Sequence, residues 1–132
     1  MWMDTEDLIG RYLIAAAEHA EAQRQLGEQS ALARGNRAAD ELRRLAVEIG
    51  ARGAASVATF SKLLDEDRNG VSAWAAFHVL EVMTAPRDTV NRAFDVIERV
   101  AAGQGVESIG ARVRLRELRR QFGGPDSGEP TA

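Results

Sequence analysis

Apolar residues recur along this chain at steps of three and four, the spacing that puts side chains on one face of an α-helix. Such stripes run through the first 122 residues, whereas the alternating pattern of half-buried strands is almost absent. The pattern predicts an all-α fold of five or six helices in antiparallel pairs. We expect helices over residues 5–26, 36–52, 54–65, 71–83, 86–102 and 106–122.

Glycine, proline and polar turns separate these stripes. Gly27 is expected to end the first helix, and Asn36 to cap the second, although residues 31–35 also fit a helix that would merge the two. Gly50 and Gly53 bracket the end of the second helix, and Pro86 suits the first turn of the fifth. The fourth helix is apolar on nearly all sides, so neighbours should enclose it at the centre of the fold.

Two short patterns recur at a distance of 34 or 35 residues, which predicts an internal repeat. Phe60-x-x-Leu63 returns as Phe94-x-x-Ile97, and the series Val71, Ala76, Leu80 returns as Val106, Ala111, Leu115. Small residues would let paired helices approach closely at the centre of each unit; they are Ala75, Ala76, Gly110 and Ala111. Helix pairs stacked in this way form a short α-solenoid.

The run from Val71 to Glu81, VSAWAAFHVLE, followed by a proline and a helix containing Ala111, Leu115 and Leu118, resembles a HEAT-type repeat. Residues 36–122 are similar to the bacterial family described as domain of unknown function 2019. The resemblance implies a compact HEAT-like helical array and no catalytic residue. Relatives of similar size occur near bacterial toxin systems, so the resemblance also raises the hypothesis of a toxin-immunity role.

Composition narrows the class of protein. The 132 residues include no cysteine, which excludes disulfides and thiolate metal sites, and the net charge of −3 differs from the strong basic excess of most nucleic-acid binders. No segment has the length and apolarity of a membrane span or a signal peptide. We therefore expect one helical domain over residues 1–122, a disordered tail over 123–132, and a cytoplasmic protein.

Each group of potentially reactive side chains in the sequence has a structural explanation. His19 and His78 lack the Glu-x-x-His spacing of helical metal sites; His78 is expected to form a hydrogen bond on a buried helix face, and His19 to be solvated. The acidic turn 65–67 lacks the calcium-loop pattern. The sequence predicts no enzyme, no cofactor and no metal site.

Basic residues on the last helix are the main binding candidates. At 100° per residue, Arg112, Arg116 and Arg119 fall within a sector of about 60°, with Arg120 beside it. This arginine ridge would suit an acidic protein or nucleic-acid phosphates, although arginine is also the chain's usual cation. Trp74 is either a core residue or an interface anchor. Phe60, Phe94 and Phe122 are expected in the core.

The leading functional hypothesis is a non-enzymatic protein–protein interaction module, with the helix array as its binding surface. The alternative is binding of nucleic acid or an acidic partner through the arginine ridge. A homodimer is compatible with both hypotheses. The identity of the partner does not follow from the sequence.

Overall fold

The computed structural model of the protein describes residues 3–25 and 27–122, and this part of the chain contains helices and no strand. The all-α prediction is therefore confirmed. Leu26 and the predicted tail lie outside the described residues. The helices are α1 (Thr5–Arg24), α2 (Ala31–Ala51), α3 (Ala54–Phe60), α4 (Val71–Val82), α5 (Arg87–Ala102) and α6 (Val106–Phe122), with 3₁₀ turns at Ser61–Asp65 and Arg68–Gly70.

The helices pack mainly on their neighbours in sequence. α1 lies along α2, α4 along α5, and α5 along α6. α4 also contacts α1, α2 and both 3₁₀ turns, so it is enclosed as its apolar sequence predicts. Its fully buried positions include Ala75 and Ala76, whose small side chains admit the neighbouring helices.

α2 begins five residues earlier than predicted, because tertiary packing overrides the weak helical signal of this segment. Ala31, Gly35 and Ala38 face α1 and are buried, and a Cβ at Gly35 would lie 3.6 Å from the Cβ of Ala22. Asn36 is exposed inside the helix and caps nothing. Residues 31–35 are thus helical, while the chain still turns between α1 and α2.

The two glycines predicted to end α2 have different roles. Gly53 has a φ of 107° and ends the helical segment, a conformation that side chains with a Cβ rarely adopt. Gly50 lies inside α2, where a Cβ would come within 2.9 Å of Cγ of Met83 and 3.3 Å of the carbonyl oxygen of Val82. Gly50 is therefore needed for the close approach of α2 to the end of α4.

Three other details differ from the predicted pattern. The third helix tightens into a 3₁₀ turn after Phe60, and α4 ends at Val82, where the backbone becomes extended at Met83. Phe122 packs edge-on against Phe94 but keeps 38 % of its surface exposed, so its assignment to the core was wrong. It lies in the last turn of α6, where no other helix of the described residues covers it fully.

A buried hydrogen bond joins α1 to α4. The oxygen of the Tyr12 hydroxyl lies 2.6 Å from Nδ1 of His78, and both side chains are almost fully enclosed. Burial raises the pKa of Tyr12 well above its usual value, so the phenol keeps its proton and donates it. Burial, together with the charges of Arg43 and Arg114, lowers the pKa of His78 to about 4, so the imidazole is neutral and accepts. The predicted hydrogen-bonding role of His78 is confirmed.

This pair makes the stability of the fold depend on pH. The unfolded chain takes up a proton at His78 near pH 6.5, whereas the folded chain resists protonation until about pH 4. Stability is therefore fully present above pH 6.5 and is lost as the pH falls toward 4. We expect His78 to account for about 2 kcal/mol of the free energy of unfolding lost between pH 7 and pH 5, measured by urea denaturation.

His78→Asn provides the control for this prediction, because it removes the titrating group and keeps a polar side chain. The pKa of His19 is also lowered by burial, so part of the acid effect should persist in the variant. An equal loss of stability in the wild type and in His78→Asn would contradict the assignment.

Candidate functional site

The arginine ridge predicted on α6 is divided by the packing of that helix. All four of its arginines lie on the surface, but Arg112 bends toward α5, where its Nη1 donates a hydrogen bond of 2.8 Å to the carbonyl oxygen of Ala101. That carbonyl belongs to the last turn of α5, which a cation stabilises through the helix dipole. Arg112 therefore has a structural role at the end of a neighbouring helix.

The other three arginines have separate surroundings. Arg119 forms an ion pair with Glu98 of α5, and Arg120 pairs with Glu117 one turn before it. Arg116 forms no ion pair with the described residues. The predicted residues thus share one helix without forming a continuous free cationic surface.

A fifth arginine, which is not among the predicted residues of the ridge, joins three helices. Arg114 lies with its guanidinium 4.1 Å from the centre of the Phe77 ring and also pairs with Glu81, both on α4. Glu81 is only 21 % exposed and lies 3.5 Å from Arg43 of α2 as well. The only available signal was that Arg114 lies off the ridge, toward the opposite flank of α6. Helical spacing did not show which helix it would meet.

The sequence left open whether Trp74 is a core residue or an interface anchor, and the structure shows a side chain that is partly buried and partly accessible. Its indole stacks on the imidazole of His78, with ring centres 5.9 Å apart and planes inclined by 23°, and His19 packs edge-on against it at 5.0 Å. The side chain is half-buried, as is that of His19, so the prediction of a solvated His19 was wrong. Trp74 therefore packs against two imidazole rings while part of its own ring remains accessible.

Trp74 lies in an open groove of about 820 Å³. The beginning of α4 forms the floor, the second half of α1 one wall, and the end of α5 with the beginning of α6 the other. The floor includes Ser72, Ala73, Trp74 and Phe77; the walls include His19, Gln23, Arg24, Arg99, Gln104, Glu107 and Arg114. We call this feature the α1–α6 groove.

The charges of the α1–α6 groove are mainly positive. Arg24 pairs with Glu21 on the same helix, and Arg114 pairs with Glu81 below it. Arg99 is exposed near the end of α5 and forms no ion pair with the part of the chain that the structure describes. The groove therefore combines aromatic surface with guanidinium groups, which bind carboxylates and aromatic faces.

A second surface of α6 is apolar. Val106, Ile109 and Val113 are 83 %, 57 % and 58 % exposed, and they lie at steps of three and four on the face opposite the buried residues Ala111, Leu115 and Leu118. Gly110 lies on the same face, with no atom within 4 Å of the position of a Cβ. We call these four residues the outer face of α6.

Within residues 3–25 and 27–122, no group of three or more carboxylate or imidazole side chains is placed to hold a metal ion. In the same part of the chain, none of the helices combines the length and apolarity that crossing a membrane requires.

Arg112 and Arg116 differ in a way that stability measurements can detect. Arg112→Ala should lower the free energy of unfolding by about 1 kcal/mol, because the carbonyl of Ala101 loses a charged donor. Arg116→Ala should change it by less than about 0.5 kcal/mol, since arginine and alanine are both good helix formers and no ion pair is lost. Urea denaturation of both variants checks the division of the ridge; equal effects would contradict it.

No family model, curated protein or solved structure matches this chain. The resemblance to HEAT-type repeats and to domain of unknown function 2019 stays a prediction from the sequence.

Proposed function

We propose that this protein is a non-enzymatic interaction module that binds a segment of another protein in the α1–α6 groove. The observation that carries the proposal is the position of Trp74, half-buried on the floor of that groove and stacked on His78. Tryptophan is enriched at the residues that contribute most to protein–protein binding. A ring already held in place loses little conformational entropy when a partner covers it.

The shape of the groove supports a peptide segment as the ligand. An amphipathic helix or extended chain places its apolar side chains in such a groove, between two helices and above a third. Trp74 and Phe77 would contact these apolar side chains. The groove is open to solvent, which suits a protein surface better than the enclosed pocket of a small metabolite.

The charges of the groove support an acidic partner. Arg24, Arg99 and Arg114 line it, whereas Glu107 is the one acidic residue along the described walls. Carboxylates of a partner would meet these guanidinium groups at the rim and set the orientation of the complex.

Binding of nucleic acid through the arginine ridge is the alternative, and Arg116 is the residue that favours it. Arg112 and Arg119 are engaged within the chain, which leaves fewer free guanidinium groups for phosphates. Nucleic-acid binding would weaken steeply with salt and would disappear when Arg112, Arg116 and Arg119 are replaced by glutamate. An unchanged affinity in that triple variant would remove the alternative.

Arg99→Glu tests the groove without disturbing its floor. The variant reverses a charge at the rim, so an acidic partner that co-purifies with the wild type should bind at least about tenfold more weakly. Arg87→Glu is the matched control, because Arg87 is exposed at the other end of α5, about 18 Å away along the helix. The measurement is co-purification under native conditions, followed by titration calorimetry with the purified partner.

Trp74→Ala completes the experiment by removing the proposed anchor, with circular dichroism as the check that the variant is folded. We expect it to lose the same partner that Arg99→Glu loses. Retention of that partner by both variants would overturn the proposal for the groove. Turnover of a metabolite by the purified protein without any protein partner would overturn the proposed class of function.

A further inference from the structure

The outer face of α6 is the largest group of exposed apolar side chains in the described part of the chain. Of the seven large apolar residues that are exposed there, three belong to this face: Val106, Ile109 and Val113. α6 packs along α5 and touches α4 through Arg114, so its outer side meets no other helix of the described chain. An apolar stripe over two helical turns is unusual on a surface that remains in water.

The internal repeat predicted from the sequence indicates what this face corresponds to. A shift of 35 positions relates Ala76 and Leu80 of α4 to Ala111 and Leu115 of α6, and all four are buried. The same shift relates Val71, Trp74, Ala75 and His78 to Val106, Ile109, Gly110 and Val113. The outer face of α6 is therefore equivalent in sequence to one particular face of α4.

That face of α4 is covered by α1. His78 accepts the hydrogen bond from Tyr12, Trp74 packs against His19, and Val71 is 1 % exposed. The equivalent of Val71 is Val106, which is 83 % exposed. One difference between the two units is therefore that α1 lies on this face of α4, whereas no helix of residues 3–25 and 27–122 lies on the corresponding face of α6.

We propose that a second copy of this chain fills the open position, with the two α6 helices packed antiparallel about a two-fold axis near Gly110. This inference goes beyond the proposed function, because it concerns a different surface and a different partner. Closed two-fold dimers are the commonest oligomers, and such an interface requires a surface that complements itself.

The outer face meets that requirement through the position of its residues. In an antiparallel overlap of the first halves of α6, Val106 of each copy lies opposite Val113 of the other. Gly110 lies at the crossing point, where the absence of a side chain allows the two backbones to approach closely. The apolar residues of each copy are thus covered by those of the other.

Charge disfavours the alternative in which the second halves of α6 overlap. α6 carries five arginines and two glutamates, so overlap of its second halves would oppose like charges. In the register centred on Gly110, the Arg116 side chains of the two copies originate about 20 Å apart along the helix axis. That separation is about two Debye lengths at 0.1 M salt, so their repulsion is largely screened.

The size of the face predicts a weak dimer. Val106 to Val113 spans about 11 Å of helix. The contact is therefore smaller than the roughly 800 Å² that each partner buries in a stable complex. We expect a dissociation constant between about 10 µM and about 1 mM. Because the contact is mainly apolar, it should persist or strengthen in high salt, unlike binding to nucleic acid.

Sedimentation velocity of the full chain over that concentration range, at low and high salt, tests the proposal. The wild type should pass from monomer to dimer, and Val113→Asp should raise the dissociation constant at least about tenfold, because a carboxylate would be buried without a partner. Val47→Asp is the matched control, since Val47 is an exposed valine (47 %) on α2, and it should leave association unchanged.

Gly110→Ala supplies a second test that does not depend on a charge. A Cβ at this position meets no atom within 4 Å in the single chain, so the variant should fold and gain helix stability. If the two α6 helices cross closely at Gly110, the added methyl group of Gly110→Ala would separate them, so this variant should form a weaker dimer. A higher melting temperature together with a weaker dimer is the expected combination.

Several outcomes would overturn the inference. They are a chain that stays monomeric throughout, a dimer that Val113→Asp leaves intact, and assembly that continues beyond the dimer. Sedimentation of a monomeric chain with anionic lipid vesicles, if lost in Val113→Asp, would assign the face to a membrane surface instead. These outcomes can be distinguished from a failure of the groove proposal, because Arg99→Glu and Trp74→Ala alter residues outside the outer face of α6.

Discussion

The buried hydrogen bond from Tyr12 to His78 holds α1 against α4, beside Trp74 on the floor of the α1–α6 groove. His78 also supports Trp74 by stacking, so the position of α1 determines how much of the indole remains open. α1 covers Val71 but leaves Trp74 and part of the α4 surface at the floor of the groove. The Tyr12–His78 contact therefore lies where the core meets the candidate binding site.

Helical periodicity was sufficient to predict the fold class and most of the core. Most apolar residues of α4 are buried as expected, because the hydrophobic pattern of a helix is a local property of the sequence. The cap at Asn36 was predicted wrongly, and the alternative of a helix over residues 31–35 is the one the structure shows. Gly35 is a poor helix former, and in the folded chain it lies against Ala22 of α1. That contact joins two helices, and no local pattern encodes it.

The candidate sites show the same limit of local patterns. A helical projection places Arg112, Arg116 and Arg119 side by side, but it does not show that α5 approaches from that side. The approach of α5 supplies a carbonyl for Arg112 and a carboxylate for Arg119, which leaves Arg116 with different surroundings. Neighbouring positions on α6 therefore have different roles, because α5 packs beside some of them and not beside others. Trp74 could be identified from the sequence as a candidate, whereas the groove around it required the positions of α1, α5 and α6.

α6 takes part in both proposed surfaces, which connects them energetically. One flank forms a wall of the groove through Glu107 and Arg114, and the outer face lies on the opposite side of the same two turns. As the last described helix, packed mainly on α5, α6 should open more readily than the enclosed α4. A second copy that binds the outer face would stabilise the ordered helix and hence the groove wall. Linkage then requires that a groove ligand strengthen the dimer by the same factor as the dimer strengthens ligand binding.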